Sequence, residues 1–334
     1  MPEQQEDYYY STSTGFPTQK PKKNNYILHG GLFVITFVTT LFAGTEWTTG
    51  RFGLYTPETL LMGLPYAILI MLVISFHEFG HYFAAKYHKV DATLPFYIPF
   101  PPIPYFINFG TMGAVIKTRT PVHTRKAMFD IGVAGPLSGF VVCLAILIYG
   151  FTNLPGIDYI LRIHPDYFSP EYAKNAAYGV KFGDNLLFAF LRSVLTNDSQ
   201  FVPPMSEIYH YPFLCVGWFG LLITSMNMIP VGQLDGGHIS YTLFGEKIHV
   251  RLAYAAFFII LFLGIMGGID ALLGTNMNVG GFGWFVWAAV LFFVIKIKHP
   301  LIPDYTPLGT GRKIAGYISL FIFIISFTPN PLYM

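Results

Sequence analysis

Seven apolar stretches, each close to the length of a bilayer crossing, dominate this chain of 334 residues. A helix covers the hydrocarbon core of a membrane with about 20 residues, because it rises about 1.5 Å per residue and bonds every backbone group internally. The stretches lie near residues 27–43, 60–85, 128–151, 213–230, 251–269, 282–296 and 314–328, the last two being the shortest. Composition points the same way. The chain is 53% hydrophobic and only 11% charged, where a soluble domain carries about 25% charged residues. That is too little charge to wet a soluble surface, which excludes an ordinary cytosolic enzyme, a disordered chain and a basic nucleic-acid binder. Cys143 and Cys215 both sit inside apolar runs, where a thiol acts as a small hydrophobe and no disulfide framework is indicated. The polar first residues contain no apolar core, so no cleavable signal peptide is expected.

Basic residues retained on the cytoplasmic side set the orientation of such spans. With the N-terminus inside, fifteen of the twenty lysines and arginines fall on the inner side, among them Lys20, Lys22, Lys23, Lys86, Lys117 and Arg125. The second span is expected to open at Thr56-Pro57-Glu58, an N-cap, a first-turn proline and an acid near the positive end of the helix dipole. Two connections are unusual. In residues 91–120, five prolines between Pro95 and Pro104 forbid a helix in an otherwise apolar segment. This is expected to be a re-entrant or surface-lying loop ending in a strand from Thr111 to Thr118. Residues 153–212 are polar and are expected to form a small outer-side cap with some helix around Glu171 to Leu195.

Charged groups inside spans cost roughly 2.5–3.5 kcal/mol at the membrane centre, so each is a functional candidate. Four stand out: His77, Glu78, His81 and Asp235. His77-Glu78-Phe79-Gly80-His81 has the form H-E-x-x-H, whose two histidines share one helix face and can offer nitrogens to a single zinc, with the glutamate beside the metal's open position. A catalytic zinc takes three protein ligands, and Asp235 is the best third. It lies in Asn227-Met-Ile-Pro-Val-Gly-Gln-Leu-Asp-Gly-Gly-His238, at the same end of the membrane as His77 and His81 in this topology. His238 is either a partner of that site or an interfacial histidine. Asp130 is expected to pair with Lys126, and Gly135-Pro-Leu-Ser-Gly139 reads as a helix-packing surface. His88, His123, His249 and His299 fall in loops, where solvated histidines are expected.

In order along the chain, HEFGH, GTMGAVI, AGPLSG and NMIPVGQLDGGH resemble the motifs of the site-2 protease family of intramembrane zinc metalloproteases. The resemblance covers about residues 57–240 and is nearest to the bacterial and plastid branch with a PxGxLDGG pattern. It implies an all-α polytopic membrane protein of about seven transmembrane helices, with a three-helix catalytic core and a membrane-associated β-hairpin or re-entrant loop. It implies one zinc per chain held by His77, His81 and Asp235, Glu78 as the catalytic acid and base, and Asn227 as a polar contact to substrate. It also implies that Gly110, Thr111, Met112, Gly113, Ala114, Val115 and Ile116 form a strand holding the substrate extended.

The expected organisation is a polar tail (1–26), a first span with an outer loop (27–56), the catalytic core (57–240) and C-terminal spans (241–334). The implied partners are the lipid bilayer and a single-span membrane protein, cut near the cytoplasmic face, with no nucleic acid. The expected location is a bacterial plasma membrane with the N-terminus inside, an organelle membrane being the alternative. Two rival functions are a metal-ion transporter and a catalytically silent scaffold. A transporter needs polar residues across the full membrane depth, whereas these cluster at one end, and a scaffold has no use for Glu78.

Overall fold

The computed structural model describes residues 24–103, 109–176, 179–275 and 277–333. Lys20, Lys22 and Lys23 of the polar tail, and part of the proline-rich loop, lie outside them. Helix α1 (Tyr26–Thr49) starts at Asn25, whose side chain accepts from the Leu28 amide, and stops at Gly50 in the left-handed conformation. Helix α2 (Pro57–Tyr87) opens with the expected Thr56 cap, here closed reciprocally by Thr59, with Pro57 in the first turn. Strands β1 (Phe96–Pro99) and β2 (Thr111–Val115) pair antiparallel, with Phe96 opposite Val115 and an irregularity between Tyr97 and Pro99. The strand expected to reach Thr118 ends at Val115; beyond it Thr118 makes only an isolated bridge to Ala92.

Helix α3 (Arg125–Thr152) is capped by Thr124. A carboxylate from a distant loop reinforces this start: Asp304 Oδ2 accepts from the Arg125 amide at 2.8 Å. The amides of Thr306 and Arg125 hold that carboxyl below its ordinary range. The cap between α3 and the next long helix contains α4 (Asp158–Ile163), α5 (Pro170–Ala176), β3 (Lys181–Phe182), α6 (Leu186–Leu195) and a 3₁₀ turn at Ile208–His210. The helix expected around residues 171–195 is thus two helices separated by a strand. After it come α7 (Pro212–Asn227), α8 (Asp235–Phe244), α9 (Glu246–Leu273) and α10 (Gly283–Val290), the last running into a π-helical turn at Leu291–Ile295. Helix α11 (Thr310–Ser326) and β4 (Leu332–Tyr333) complete the chain, and β4 pairs with β3 of the cap.

All seven apolar stretches form helix, but among the described residues only α1, α2, α3 and α9 are long and apolar enough to cross a membrane. Helix α7 has 16 residues, a rise of about 24 Å, short of the hydrocarbon thickness. Its residues Leu214 to Leu222 are buried without exception, so it is wrapped by protein rather than lipid. Of the seven expected spans, four are thus helices long and apolar enough to cross, and the other three are shorter, α7 being covered by protein. Cys143 and Cys215 are buried and unpaired in the core.

At one end of the bundle, Asp130 accepts from His88 Nε2 at 2.7 Å and from Arg312 Nε and Nη2 at 2.8 and 2.7 Å. It ties the ends of α2, α3 and α11 together. The expected Lys126 pair does not form, because the guanidinium fork occupies both carboxylate oxygens. At the other end, Tyr55 donates to Glu46 across the α1–α2 connection, and the cap covers the end of α1 through a contact between His210 and the Thr48 carbonyl.

Helices α1 and α2 approach closely where glycines face each other. A methyl group on Gly44 would lie 2.6 Å from the Gly63 carbonyl oxygen, and one on Gly63 would press on the backbone of Thr45 and Leu41. Backbone cannot move aside as a side chain can. Gly63→Val is expected to destabilise the protein by about 1–3 kcal/mol, in line with overpacked cores. Gly311→Ala, where nothing lies within 4 Å, is expected to stay within about 0.5 kcal/mol. Melting of the two variants in detergent measures the difference, and equal melting temperatures would refute the packing argument.

Candidate metal centre

Helix α2 places His77 and His81 one turn apart, both buried, with their Nε2 atoms 3.1 Å apart. The third group arrives from a different direction. Helix α7 ends at Asn227, the chain turns through residues 228–234, and Asp235 is the first residue of α8. Its Oδ2 stands 3.3 Å from His77 Nε2 and 3.4 Å from His81 Nε2. Three ligand atoms around one tetrahedral zinc, each about 2.0–2.1 Å from it, are separated by about 3.3 Å. The three side chains fit such an ion without rearrangement.

The tautomer of His81 is fixed by its other nitrogen. Nδ1 lies 2.7 Å from the Ile131 carbonyl oxygen, which can only accept, so Nδ1 carries the proton and the Nε2 lone pair turns inward. Glu78 is also buried. Asn227 Nδ2 lies 3.5 Å from His77 Nε2, on the rim of the same cluster.

Space for the rings comes from α3. A methyl group on Gly135 would overlap the His81 ring, and one on Gly139 would lie 3.2 Å from His77 Cβ and 3.3 Å from its Nδ1. The packing surface read at Gly135–Gly139 therefore accommodates the two imidazoles. The matching four-residue spacings of Gly135/Gly139 and His77/His81 are the signal that could have revealed it. A second set of glycines shapes the turn. Gly232 adopts φ +53° and donates its amide to the Ile297 carbonyl at 3.0 Å. A side chain on Gly236 would run into the Met228 carbonyl, and one on Gly237 into that of Gly232.

Beside the cluster lies a cavity of about 440 Å³, lined by Val73, Ile74, His77 and Glu78 of α2, by β2 and by the second half of α7 through Asn227. Thr111, Met112, Gly113, Ala114 and Val115 all face it. Two residues expected in this strand do not. Gly110, at φ +76°, is pressed against the backbone of Thr40, and its carbonyl accepts from Thr39 Oγ1 at 2.6 Å. Ile116 packs with Ala85, Val90, Ala92 and Ile131. Among the described residues, β1 is the only strand paired with β2, leaving its other edge without a strand partner.

His238 does not join the three ligand atoms. Its Nδ1 lies 2.7 Å from His299 Nε2, while His249 Nδ1 meets Ser240 Oγ at 2.8 Å. His249 and His299 are buried, contrary to the solvated loop positions expected for them. The segment around residue 299 folds over α8, and Tyr241 stacks on the His299 ring with centroids 4.3 Å apart.

The sequence profile of peptidase family M50 matches residues 65–267, which takes in both halves of the cluster. A rice protein (Oryza sativa subsp. japonica) named probable zinc metalloprotease EGY1, chloroplastic, is 28% identical over 271 residues, covering 80% of this chain and 40% of its own. Two Arabidopsis thaliana proteins, named probable zinc metalloproteases EGY2 and EGY1, chloroplastic, are 26% and 28% identical, covering 82% and 80% of this chain and 43% of each relative. The chain thus spans about two fifths of the length of these curated relatives. No solved structure matches it. The profile match extends over more than half of the chain and includes His77, His81 and Asp235: the chain belongs to peptidase family M50, the site-2 proteases.

Proposed function

We propose that the protein is an intramembrane zinc endopeptidase that cuts single-span membrane proteins within their membrane segments, near the cytoplasmic face. One observation carries this reading: two imidazoles and a carboxylate converge to within 3.4 Å of one another beside an apolar cavity that also holds a buried glutamate and one face of β2. A transporter would need this cluster to continue along a path, and a scaffold would not need the glutamate.

His77, His81 and Asp235 would hold the zinc, which when bound supplies the Lewis acidity that makes water nucleophilic near neutral pH. The negative charge of Asp235 offsets part of the ion's charge, lowering the cost of keeping it in an apolar setting. Glu78 accepts the proton of the attacking water and returns it to the leaving nitrogen. The Asn227 amide, at the cavity rim, is positioned to donate to the oxygen on which charge develops. A helical substrate has its carbonyls already bonded and must unwind before it can react. The unpaired edge of β2 can satisfy the amides and carbonyls this frees, by strand addition.

Four apolar helices long enough to cross a bilayer make this a membrane protein. The relatives are named as chloroplastic, which favours the organelle alternative for this chain over the bacterial plasma membrane. The inner-side N-terminus is proposed from the distribution of basic residues alone.

Glu78→Gln is expected to keep its metal and to cut a model transmembrane peptide about 10²–10⁴-fold more slowly, the usual loss when a general base is removed. Cleavage at the wild-type rate would end the assignment. Asp235→Ala removes a ligand atom and Gly135→Ala crowds the His81 ring, so both are expected to lower zinc retention during purification; metal content equal to wild type would remove Asp235 from the ligand set. Met112→Pro deletes an amide at a position outside the β1 register pairs. It should slow cleavage of helical substrates more than of already unfolded peptides, and equal slowing would rule out strand addition.

A further inference from the structure

We infer that His164, Glu207 and His210 form a second zinc site, one that clamps the cap onto the end of α1. His210 closes the 3₁₀ turn just before α7, Glu207 immediately precedes that turn, and His164 follows α4. His210 is fully buried and Glu207 is 2% exposed. His164 Nε2 lies 2.9 Å from His210 Nε2, and His210 Nε2 lies 3.6 Å from Glu207 Oε2. The three ligand atoms all lie within 4.8 Å of one another.

Hydrogen-bond accounting distinguishes a metal site from a polar network. His210 Nδ1 lies 2.8 Å from the Thr48 carbonyl oxygen. That oxygen only accepts, so Nδ1 carries the proton and Nε2 presents a lone pair to the cluster. His81 and the Ile131 carbonyl use the same device in the first centre. His164 could donate to that lone pair, but Glu207 Oε2 would still face it. The Ser206 hydroxyl meets Oε1 at 3.3 Å, yet Oε2 is buried without a hydrogen-bond partner. A carboxylate oxygen opposite an imidazole lone pair, away from water, is unfavourable. A cation between the three atoms satisfies all of them. Two imidazoles and one carboxylate suit zinc as a set of three protein ligands.

The consequence is structural. His210 sits against Gly50, where a Cβ would lie 3.1 Å from its Cε1, and the Tyr159 hydroxyl donates to the His210 carbonyl at 2.6 Å. An ion held here joins the residue after α4 to the turn before α7, and His210 Nδ1 carries that junction to the Thr48 carbonyl at the end of α1. The four-residue pattern that marks the first centre is missing, because the ligands come from segments more than forty residues apart, and no local motif announces them.

The test uses the full chain in detergent with zinc measured by mass spectrometry, in a His77→Ala/His81→Ala background that removes the first centre. That variant is expected to retain about one zinc per chain, and adding His164→Ala or Glu207→Gln is expected to abolish it. Re-adding zinc after chelation should raise the melting temperature of the background variant and not that of the variant carrying His164→Ala. If the background chain misfolds, His164→Ala in the wild-type chain should lower zinc from about two equivalents to about one. A background chain that holds no zinc, or zinc content indifferent to His164 and Glu207, overturns the inference, whatever becomes of the catalytic reading.

Discussion

Everything at the first centre depends on how closely α2 and α3 can approach. The His81 ring occupies the volume in which any side chain at position 135 would stand, and Gly139 does the same service for His77. Wider spacing would leave the His81 imidazole without the Ile131 carbonyl that fixes its tautomer. The ligand triangle is therefore set by helix packing as much as by the ligands, and glycine is the residue that permits both at once. In a membrane interior, where apolar side chains gain little from one another, such close backbone contact is what holds helices together.

The short length of α7 follows from the same requirement. Had it continued through the membrane as regular helix, Asp235 would have been carried past the level of His77. Instead it stops at Asn227, and a tight turn of seven residues brings the carboxylate back. Irregular backbone at that depth is tolerated only where protein covers it. The Gly232 amide finds the Ile297 carbonyl, and Gly236 and Gly237 lie directly against the carbonyls of Met228 and Gly232. The segment around residue 297 is thus part of the support of the metal centre, although it is remote in sequence.

Much of this arrangement is legible in the order of the residues alone. H-E-x-x-H on an apolar helix identifies its own chemistry because the spacing puts both rings on one face. Asp235 stands out because topology assigns it to the same membrane end, and the Thr56 cap is local chemistry that four neighbouring residues spell out. The remainder is tertiary. The burial of His249 and His299 depends on a loop folding over α8, the partner of Asp130 comes from α11, and Gly110 faces α1 rather than the cavity because of contacts to Thr39 and Thr40. The number of full spans is harder to read from sequence for a related reason: apolar run length does not distinguish a helix wrapped by lipid from one wrapped by other helices, and α7 is the second kind.

The two histidine clusters differ in what the two proposed roles, a catalytic centre and a clamp, require of them. Each sets an imidazole by pinning Nδ1 to a backbone carbonyl and directing Nε2 toward a carboxylate. Their surroundings differ. The first opens on a cavity of about 440 Å³ and has Glu78 beside it, an acid and base with room for a reacting group. The second is enclosed by aromatic rings, with the Tyr209 ring 4.0 Å from His210 and that of Tyr172 4.9 Å from His164. Its one carboxylate points at the ligand atoms instead of at open space. Metal binding needs only converging lone pairs; hydrolysis also needs a base that is not itself a ligand and a volume to hold the substrate. Of the two, the His77, His81 and Asp235 cluster has both of these beside it, and on that ground hydrolysis is proposed for it and the fastening of the cap for the other.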